Sequence, residues 1–294
     1  MSPNPPLLAA DLLARLEAAQ LATRRRLVGS LAGEHRSKRY GSSLDFADQR
    51  EYHPGDDFRR IDYHVLARLD QVLVRLYEAD EDLQVRVLID TSASMGFGDK
   101  LQQARRLAAA IGFVALTRRD VVSVHTFPLD RPGPRFIGRG AVGRLFSVLE
   151  GLEPDGVTAF AASVGHFLAK PGPPGITVVV SDLLTNEWKA ALARLPSRGA
   201  DVVVVHVLSP EDLDPRVRDD LLGDLELVDG ETGETVLVSA SESVLALYAR
   251  GAAAWADEVA SQCRRSGAAY VRVRSDDDVK DVLFGAWRAA GVLR

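Results

Sequence analysis

Hydrophobic runs of strand length alternate with helix-like patterns through the C-terminal two thirds of the chain. The predicted strands cover residues 85–90, 121–127, 176–181, 202–208 and 269–273. The predicted helices, whose apolar residues recur every three or four positions, cover residues 100–116, 142–149, 186–195, 243–265 and 279–290. Strands that are apolar along their whole length are typically buried on both faces, as in a parallel sheet covered by helices. The pattern therefore predicts an α/β fold with an open, doubly wound, mostly parallel sheet.

The N-terminal part of the chain has a different texture and is predicted to form an appendage with helices and a short strand. Leucines spaced three to five apart predict a helix over residues 7–31, which a short basic loop over residues 34–41 follows. Residues 72–77 alternate in the manner of a strand. The predicted division of the chain is residues 1–40, residues 41–80 and residues 81–294, the last with an acidic hairpin insertion near residues 211–238.

One short segment of the appendage combines acids, arginines and aromatic residues. Its members are Arg50, Glu51, Tyr52, Asp57, Phe58, Arg59, Arg60, Asp62, Tyr63 and Arg68. A Pro-Gly turn followed by Asp56 and Asp57 predicts a cap for a short helix over residues 59–66. Because many charges beside aromatic side chains need partners, we expect an ion-pair network that holds the segment against the sheet domain.

Composition and charge narrow the function classes. The chain has 294 residues, of which 46% are hydrophobic and 26% charged, as in ordinary folded proteins. Its net charge of −5 argues against a general nucleic-acid or anionic-membrane binder, despite the basic stretch over residues 24–39. The single cysteine, Cys263, excludes an internal disulfide and a cysteine-rich zinc site. The sequence shows neither a long apolar run nor a basic leader, so we expect a cytoplasmic protein without a membrane span.

Oxygen-bearing side chains follow three of the predicted strand ends. Asp90-Thr-Ser-Ala-Ser94 follows the first core strand, Thr158 lies in a later loop, and Asp182 follows the strand over residues 176–181. Each of these sites alone is explained well enough as a helix N-cap. Ligands of open parallel sheets bind beyond the carboxyl ends of the strands, where these side chains would meet. Carboxylate and hydroxyl oxygens are the ligands that a hard cation prefers, so the joint pattern predicts a divalent-cation site.

These residues resemble the metal-ion-dependent adhesion site of von Willebrand factor A domains. The resemblance implies five metal ligands, namely Asp90, Ser92, Ser94, Thr158 and Asp182. It implies Mg²⁺ as the metal, with Mn²⁺ or Ca²⁺ as alternatives, and a sixth position left open for an acidic residue of a partner. We expect Asp90 to lie on a solvent-facing loop, so that Asp90→Ala abolishes metal binding without unfolding the domain.

The upstream segment resembles the signature of the bacterial domain-of-unknown-function family number 58. The matching residues are Arg50, Glu51, Tyr52, Pro54, Gly55, Asp56, Asp57, Arg59, Ile61 and Asp62. Tyr63 stands where tryptophan is usual in that signature. Genes of the family typically lie beside those of MoxR-type AAA+ ATPases, so the resemblance implies an adaptor in an ATPase-driven chaperone or assembly system.

Enzymatic readings fit the residues less well. In a phosphatase or phosphotransferase of the haloacid-dehalogenase type, Asp90 would be the nucleophile and the second residue after it the acid/base. That position holds Ser92, which does not transfer protons at neutral pH. The sequence has no phosphate-binding glycine loop, no histidine suggested as partner for a serine nucleophile, and no histidine at zinc-ligand spacing. We expect a non-catalytic interaction module, and the metal-dependent phosphatase that uses Asp90 is the alternative.

Overall fold

The computed structural model describes most of the chain. The described residues are 6–22, 44–54, 56, 58–79, 83–127, 133–170, 172–173, 175–198 and 200–294. The basic loop over residues 34–41, residues 23–31 of the helix predicted over residues 7–31, and Asp57 therefore lie outside the described residues. The chain forms two compact units, one of residues 1–24 and 83–294, the other of residues 25–82.

Strands and helices alternate along the larger unit. The strands of the two units are β1 (Leu44–Glu51), β2 (Leu73–Ala79), β3 (Gln84–Asp90), β4 (Val121–Phe127), β5 (Arg135–Ile137), β6 (Gly175–Ser181), β7 (Asp201–Leu208), β8 (Gly223–Val228), β9 (Thr235–Ala240) and β10 (Ala269–Arg274). The helices are α1 (Ala10–Leu16), α2 (Tyr63–Leu69), α3 (Lys100–Thr117), α4 (Val142–Glu150), α5 (Phe160–Ala169), α6 (Trp188–Arg194), α7 (Pro210–Leu213) and α8 (Glu242–Arg265), and a helical segment with a π turn runs from Val279 to Ala289.

The central sheet has six strands in the order β10-β7-β6-β3-β4-β5. All neighbours are parallel except the short edge strand β5, which runs antiparallel to β4. From β3 the chain adds β4 and β5 on one side and then returns to place β6 on the other. The strand order therefore reverses between β3 and β6. Ligands of such sheets bind at this topological switch point.

Helices cover both faces of the sheet. Val85, Val87 and Ile89 of β3 point into a core that α1, α3, α4 and the C-terminal helical segment share. Leu88 points to the opposite core, which α5, α6 and α8 share. This alternation within one apolar strand confirms the predicted α/β class with a mostly parallel sheet. None of the described helices is long and apolar enough to span a membrane.

The predicted strands and helices of the larger unit agree with the structure within a few residues, with three omissions. Helices α5 and α7 and strand β5 were not predicted. The helix predicted over residues 7–31 is wrong for residues 17–22, because the chain leaves the helix after α1 and pairs with the C-terminus. Leu21 bridges Leu293, and Gln20 exchanges backbone hydrogen bonds with Arg294. The hairpin predicted within the acidic insertion is present as β8 and β9, which form a two-stranded sheet of their own.

The smaller unit is built on the antiparallel pair β1 and β2, and β2 includes all but the first residue of the strand predicted over residues 72–77. Helix α2 follows an isolated bridge between Ile61 and Val74. Its cap is Asp62, which accepts hydrogen bonds from the backbone N–H groups of His64 and Val65, at 3.0 and 3.3 Å. The expectation that Asp56 caps this helix is therefore wrong.

Asp56 instead pairs with Arg50. The guanidinium Nη1 and Nη2 of Arg50 donate to the two carboxylate oxygens of Asp56, at 2.8 and 2.6 Å, and the N–H of His53 donates to the same carboxylate. The hydrogen bonds from Arg50, more than any other interaction, lower the pKa of Asp56 to about 2. Arg50 is thus in an ion pair, but with Asp56, which was expected as a helix cap and not as a member of the network. The docking of the segment onto the sheet domain stays a prediction.

Candidate functional site

The candidate site lies at the switch point between β3 and β6. Asp90 is the last residue of β3, Ser181 is the last residue of β6, and Asp182 follows directly. Because β3 and β6 are adjacent and parallel, both strand ends reach the same edge of the sheet. The hydroxyl of Ser181 donates a hydrogen bond of 2.6 Å to Oδ2 of Asp90 and so joins the two ends.

Asp90 is the centre of a hydrogen-bonded group. Its Oδ1 accepts from the N–H and the hydroxyl of Ser92, at 3.0 and 2.7 Å. The Oγ atoms of Ser92 and Ser94 lie 3.0 Å apart. Because the single hydroxyl proton of Ser92 goes to Asp90, Ser94 donates to Ser92, and the serine oxygens keep lone pairs for a further partner.

Two expectations about this loop need correction. Asp90 is buried at the end of its strand, so it does not lie on a solvent-facing loop. Ser92 has the backbone position of a helix N-cap but makes no side-chain capping bond. Its hydroxyl turns towards Asp90 instead, so the capping explanation does not account for Ser92.

The loop that carries Thr158 is tied to the Asp90 loop by backbone hydrogen bonds. The N–H of Asp155 donates to the carbonyl of Thr91 at 2.7 Å, and the N–H of Ala93 donates to the carbonyl of Gly156 at 2.9 Å. Gly156 has a φ of 80°, which a glycine adopts without strain. The structure therefore brings Thr158 to the same edge of the sheet as the serines.

Asp182 is held by a buried lysine that the sequence did not single out. The Nζ atom of Lys100, the first residue of α3, lies 2.7 Å from Oδ2 of Asp182 and 3.1 Å from Oδ2 of Asp212. The other oxygen of Asp182 accepts the N–H of Leu184 at 3.2 Å. Burial lowers the pKa of Lys100, but the two carboxylates outweigh it and raise the pKa above its ordinary value. Lys100 is therefore a permanent internal cation.

His206 of β7 supports the backbone at Asp182. Its Nε2 lies 2.9 Å from the carbonyl oxygen of Asp182, and its Nδ1 lies 2.9 Å from the hydroxyl of Tyr270. Burial lowers the pKa of His206 to about 4, so the ring is neutral at pH 7. A neutral ring that donates from Nε2 to the carbonyl must accept from the tyrosine at Nδ1. His206 therefore positions the backbone of Asp182, directly after β6.

The side chains at this edge of the sheet include more carboxylates than ammonium groups, and this charge balance favours the binding of a cation. Burial, and next the nearby charge of Asp182, raise the pKa of Asp90 above that of an exposed aspartate. Lys100 pairs with two carboxylates, those of Asp182 and Asp212, and Asp90 adds a third carboxylate near Asp182. Carboxylate and hydroxyl oxygens with excess negative charge are a donor set that suits Mg²⁺. Among the described residues no three His, Cys, Asp or Glu side chains form a metal-binding group by themselves, so such a site depends on the hydroxyl oxygens.

The structure thus places the five predicted ligands at one edge of the sheet, and it adds residues that the sequence did not single out as ligands. These are Ser181, which bonds Asp90, Lys100, which pairs with Asp182, His206, which supports the main chain of Asp182, and Glu231, whose carboxylate accepts from Thr158. The Ser-Asp pair that ends β6 was the available signal for Ser181. The other three lie far from their partners in sequence.

Comparison with known proteins identifies the family. A family model described as "Protein of unknown function DUF58" matches residues 48–258. Two mycobacterial proteins, Uncharacterized protein Rv1480 of Mycobacterium tuberculosis and Uncharacterized protein Mb1516 of Mycobacterium bovis, are each 31% identical over 296 residues, which cover 96% of this chain and 91% of the relative.

Two solved structures are also similar. BatB from Bacteroides thetaiotaomicron shares 16% identity at a TM-score of 0.42, and an aerotolerance-related membrane protein from Bacteroides fragilis shares 20% at a TM-score of 0.40. Each match covers 71% of this chain and 98% of the other. At such low TM-scores neither structure bears on function. The match of the family model over most of the chain, together with the mycobacterial relatives, shows that this chain belongs to the DUF58 family.

Proposed function

We propose that this chain is a non-catalytic, divalent-metal-dependent protein-interaction module with a von Willebrand factor A-like sheet domain. One observation carries the proposal. At the switch point of the sheet, the Asp90 carboxylate and the Ser92 and Ser94 hydroxyls form one hydrogen-bonded group, and the loops of Thr158 and Asp182 adjoin it. This donor set resembles that of the metal-ion-dependent adhesion site, and the resemblance supports the proposal.

Five residues would hold the metal, namely Asp90, Ser92, Ser94, Thr158 and Asp182. Bound Mg²⁺, with Mn²⁺ or Ca²⁺ as alternatives, would supply a positive charge that accepts a carboxylate from a partner protein. The chain's own residues prepare this position. Ser181 and the N–H of Ser92 orient the Asp90 carboxylate, while Lys100 and His206 fix Asp182.

The geometry favours binding over catalysis. Both carboxylate oxygens of Asp90 accept hydrogen bonds, which makes Asp90 a poor nucleophile. The residue at the acid/base position of a phosphatase of the haloacid-dehalogenase type is Ser92, whose hydroxyl donates its hydrogen bond to Asp90 itself. A metal-dependent phosphatase that uses Asp90 remains the alternative function.

The partner we propose is a MoxR-type AAA+ ATPase that offers an acidic residue to the metal. This part rests on the family resemblance, because DUF58 genes typically lie beside genes for such ATPases. The chain would then be a cytoplasmic adaptor in ATPase-driven chaperone-like assembly or maturation. Co-purification with the ATPase of the same organism should require Mg²⁺ and should be lost in EDTA.

The metal itself is tested by isothermal titration of the full chain with Mg²⁺ and Mn²⁺. Because Asp90 is buried, the isosteric Asp90→Asn is a better variant than Asp90→Ala. We expect Asp90→Asn and Ser94→Ala to lose at least about tenfold in affinity, the scale on which metal sites respond even to changes around their ligands. Asp155→Asn, an exposed acid on the neighbouring loop, is the matched control and should bind as the wild type does.

Equal metal affinity in the wild type and Asp90→Asn would refute the site. Phosphatase activity would instead support the alternative function, a metal-dependent phosphatase that uses Asp90. If the wild type hydrolyses p-nitrophenyl phosphate with Mg²⁺ and Asp90→Asn does not, the protein is a metal-dependent phosphatase that requires Asp90.

A further inference from the structure

A glutamate from the hairpin insertion reaches one of the proposed metal ligands. Glu231 lies in the turn between β8 and β9, 73 positions from Thr158 along the chain. Its Oε1 accepts the hydroxyl proton of Thr158 at 2.5 Å, and its Oε2 accepts the N–H of Thr158 at 2.9 Å. Both carboxylate oxygens are thus held by a single residue of the site.

Hydrogen bonds within the turn fix the backbone at Glu231. One carboxylate oxygen of Asp229, Oδ1, accepts the N–H groups of Glu231 and Thr232, each at 2.8 Å. The N–H of Gly233, whose φ is 74°, donates to the carbonyl of Asp229 at 2.9 Å and closes the turn. A side chain on so tightly bonded a turn is pre-organised, so little conformational entropy is lost when it meets a ligand.

From this contact we propose that Glu231 is an internal acidic ligand of the metal site. It takes the position that the family resemblance leaves open for a partner's carboxylate, and the hairpin must move away before a partner can use that position. This inference rests on the proposed function. Thr158 gives its only hydroxyl proton to Glu231, so its oxygen keeps lone pairs that a cation can use.

Electrostatic attraction couples cation binding to the position of the hairpin. The site already has more carboxylates than ammonium groups, so Glu231 adds to its negative charge while no cation is present. A divalent cation reverses that effect and attracts the glutamate. By linkage, a cation that favours the seated hairpin must itself bind more tightly when the hairpin is seated.

The β8–β9 hairpin is a separate element that can move away from Thr158. Strands β8 and β9 form a separate two-stranded sheet, and such hairpins are marginally stable in water. Their surface is largely exposed, with Leu237 at 81% and Val236 at 58% exposure. Movement of the hairpin therefore leaves the pairing of the central sheet intact.

The test is isothermal titration of the full chain with Mn²⁺, in the wild type and in two variants. Glu231→Gln keeps the shape of the side chain and removes its charge. Glu234→Gln removes an exposed charge at the far side of the same turn and is the matched control. We expect Glu231→Gln to weaken Mn²⁺ binding by at least about tenfold, and Glu234→Gln to bind as the wild type does.

Amide hydrogen exchange gives a second, independent readout. Mn²⁺ should slow exchange over residues 229–234 in the wild type, because the bound cation holds the hairpin in place. In Glu231→Gln that protection should be absent.

The outcomes separate the inference from the proposed function. If the wild type binds Mn²⁺, Asp90→Asn does not, and Glu231→Gln binds as tightly as the wild type or more tightly, the internal ligand is refuted and the metal site stands. If Mn²⁺ does not slow exchange in the hairpin of the wild type, the internal ligand is also refuted. If the wild type does not bind Mn²⁺, the proposed function fails and the inference fails with it.

Discussion

Replacement of Lys100 by methionine is the most direct test of how the site is held together. The lysine side chain is 1% exposed, and that of its partner Asp182 is fully buried. Methionine fills a similar volume without charge, so Lys100→Met leaves the buried carboxylate without its cation. Removing one partner of a buried ion pair costs about 3–5 kcal/mol, because the remaining charge is uncompensated. We therefore expect Lys100→Met to lower the free energy of unfolding by about that amount.

Urea denaturation at pH 7 in EDTA measures this loss, provided the slope of the transition is unchanged. Lys189→Met is the matched control, because Lys189 pairs with Glu258 on the surface and is 53% exposed. Exposed pairs contribute about 0–1 kcal/mol, so the control should unfold nearly as the wild type does.

Bound metal should restore part of the free energy of unfolding that Lys100→Met loses. Without the lysine a divalent cation meets a more negative site, so it should bind this variant more tightly than the wild type. A ligand at a hundred times its dissociation constant stabilises the folded state by about 2.7 kcal/mol. A loss below about 1 kcal/mol in EDTA would refute the reasoning, because Asp182 would then need no buried partner. If Lys100→Met loses the same free energy of unfolding in EDTA and in saturating Mg²⁺, the cation does not act at the Asp182 carboxylate.

Two further predictions concern packing and pH. Gly112→Ala should cost about 1–3 kcal/mol in urea melts, because the new Cβ would lie 2.3 Å from a methyl carbon of the buried Leu145. Gly165→Ala, in the interior of α5 with no atom closer than 3.8 Å, should gain about 0.5–1 kcal/mol, and similar effects of both changes would contradict the packing argument. Arg50→Gln should raise the pKa of Asp56 from about 2 towards its ordinary value in an NMR titration. Since folding lowers this pKa, the pair stabilises the fold above the ordinary aspartate pKa and loses that effect as the pH falls towards 2, and an unchanged pKa in Arg50→Gln would show that another group is responsible.

The centre of the sheet was predictable because its middle strands are apolar along most of their length. Strand β6 is buried at every residue, and its observed bounds differ by one residue from those that its apolar run predicts. The omission of α5 was avoidable, because Phe160, Val164 and Phe167 have helical spacing and are all buried. Strand β5 has three residues, too few for any alternation to be read. The error over residues 7–31 arose because Leu21 continues the leucine spacing, whereas its bridge to Leu293 joins opposite ends of the chain.

The donor residues of the site were predictable by type, and their supporting residues were not. Asp90, Ser92 and Ser94 are close in sequence, so their spacing alone suggested convergence. Lys100 begins an amphipathic helix and looks in sequence like a solvated residue, and only the fold reveals its burial. Glu231 stands in an acidic, glycine-containing turn, where a glutamate gives no sign of a contact 73 positions away.

The shared use of Asp182 links the stability of this domain to its proposed binding. Lys100 is a permanent cation on one oxygen of that carboxylate, and a divalent metal would be a second, transient one. Any ligand that binds only the folded state stabilises it by mass action, so metal and partner would both raise the free energy of unfolding. If Glu231 is the internal ligand proposed above, a partner's carboxylate would have to exceed the affinity of a glutamate that Thr158 already holds in place.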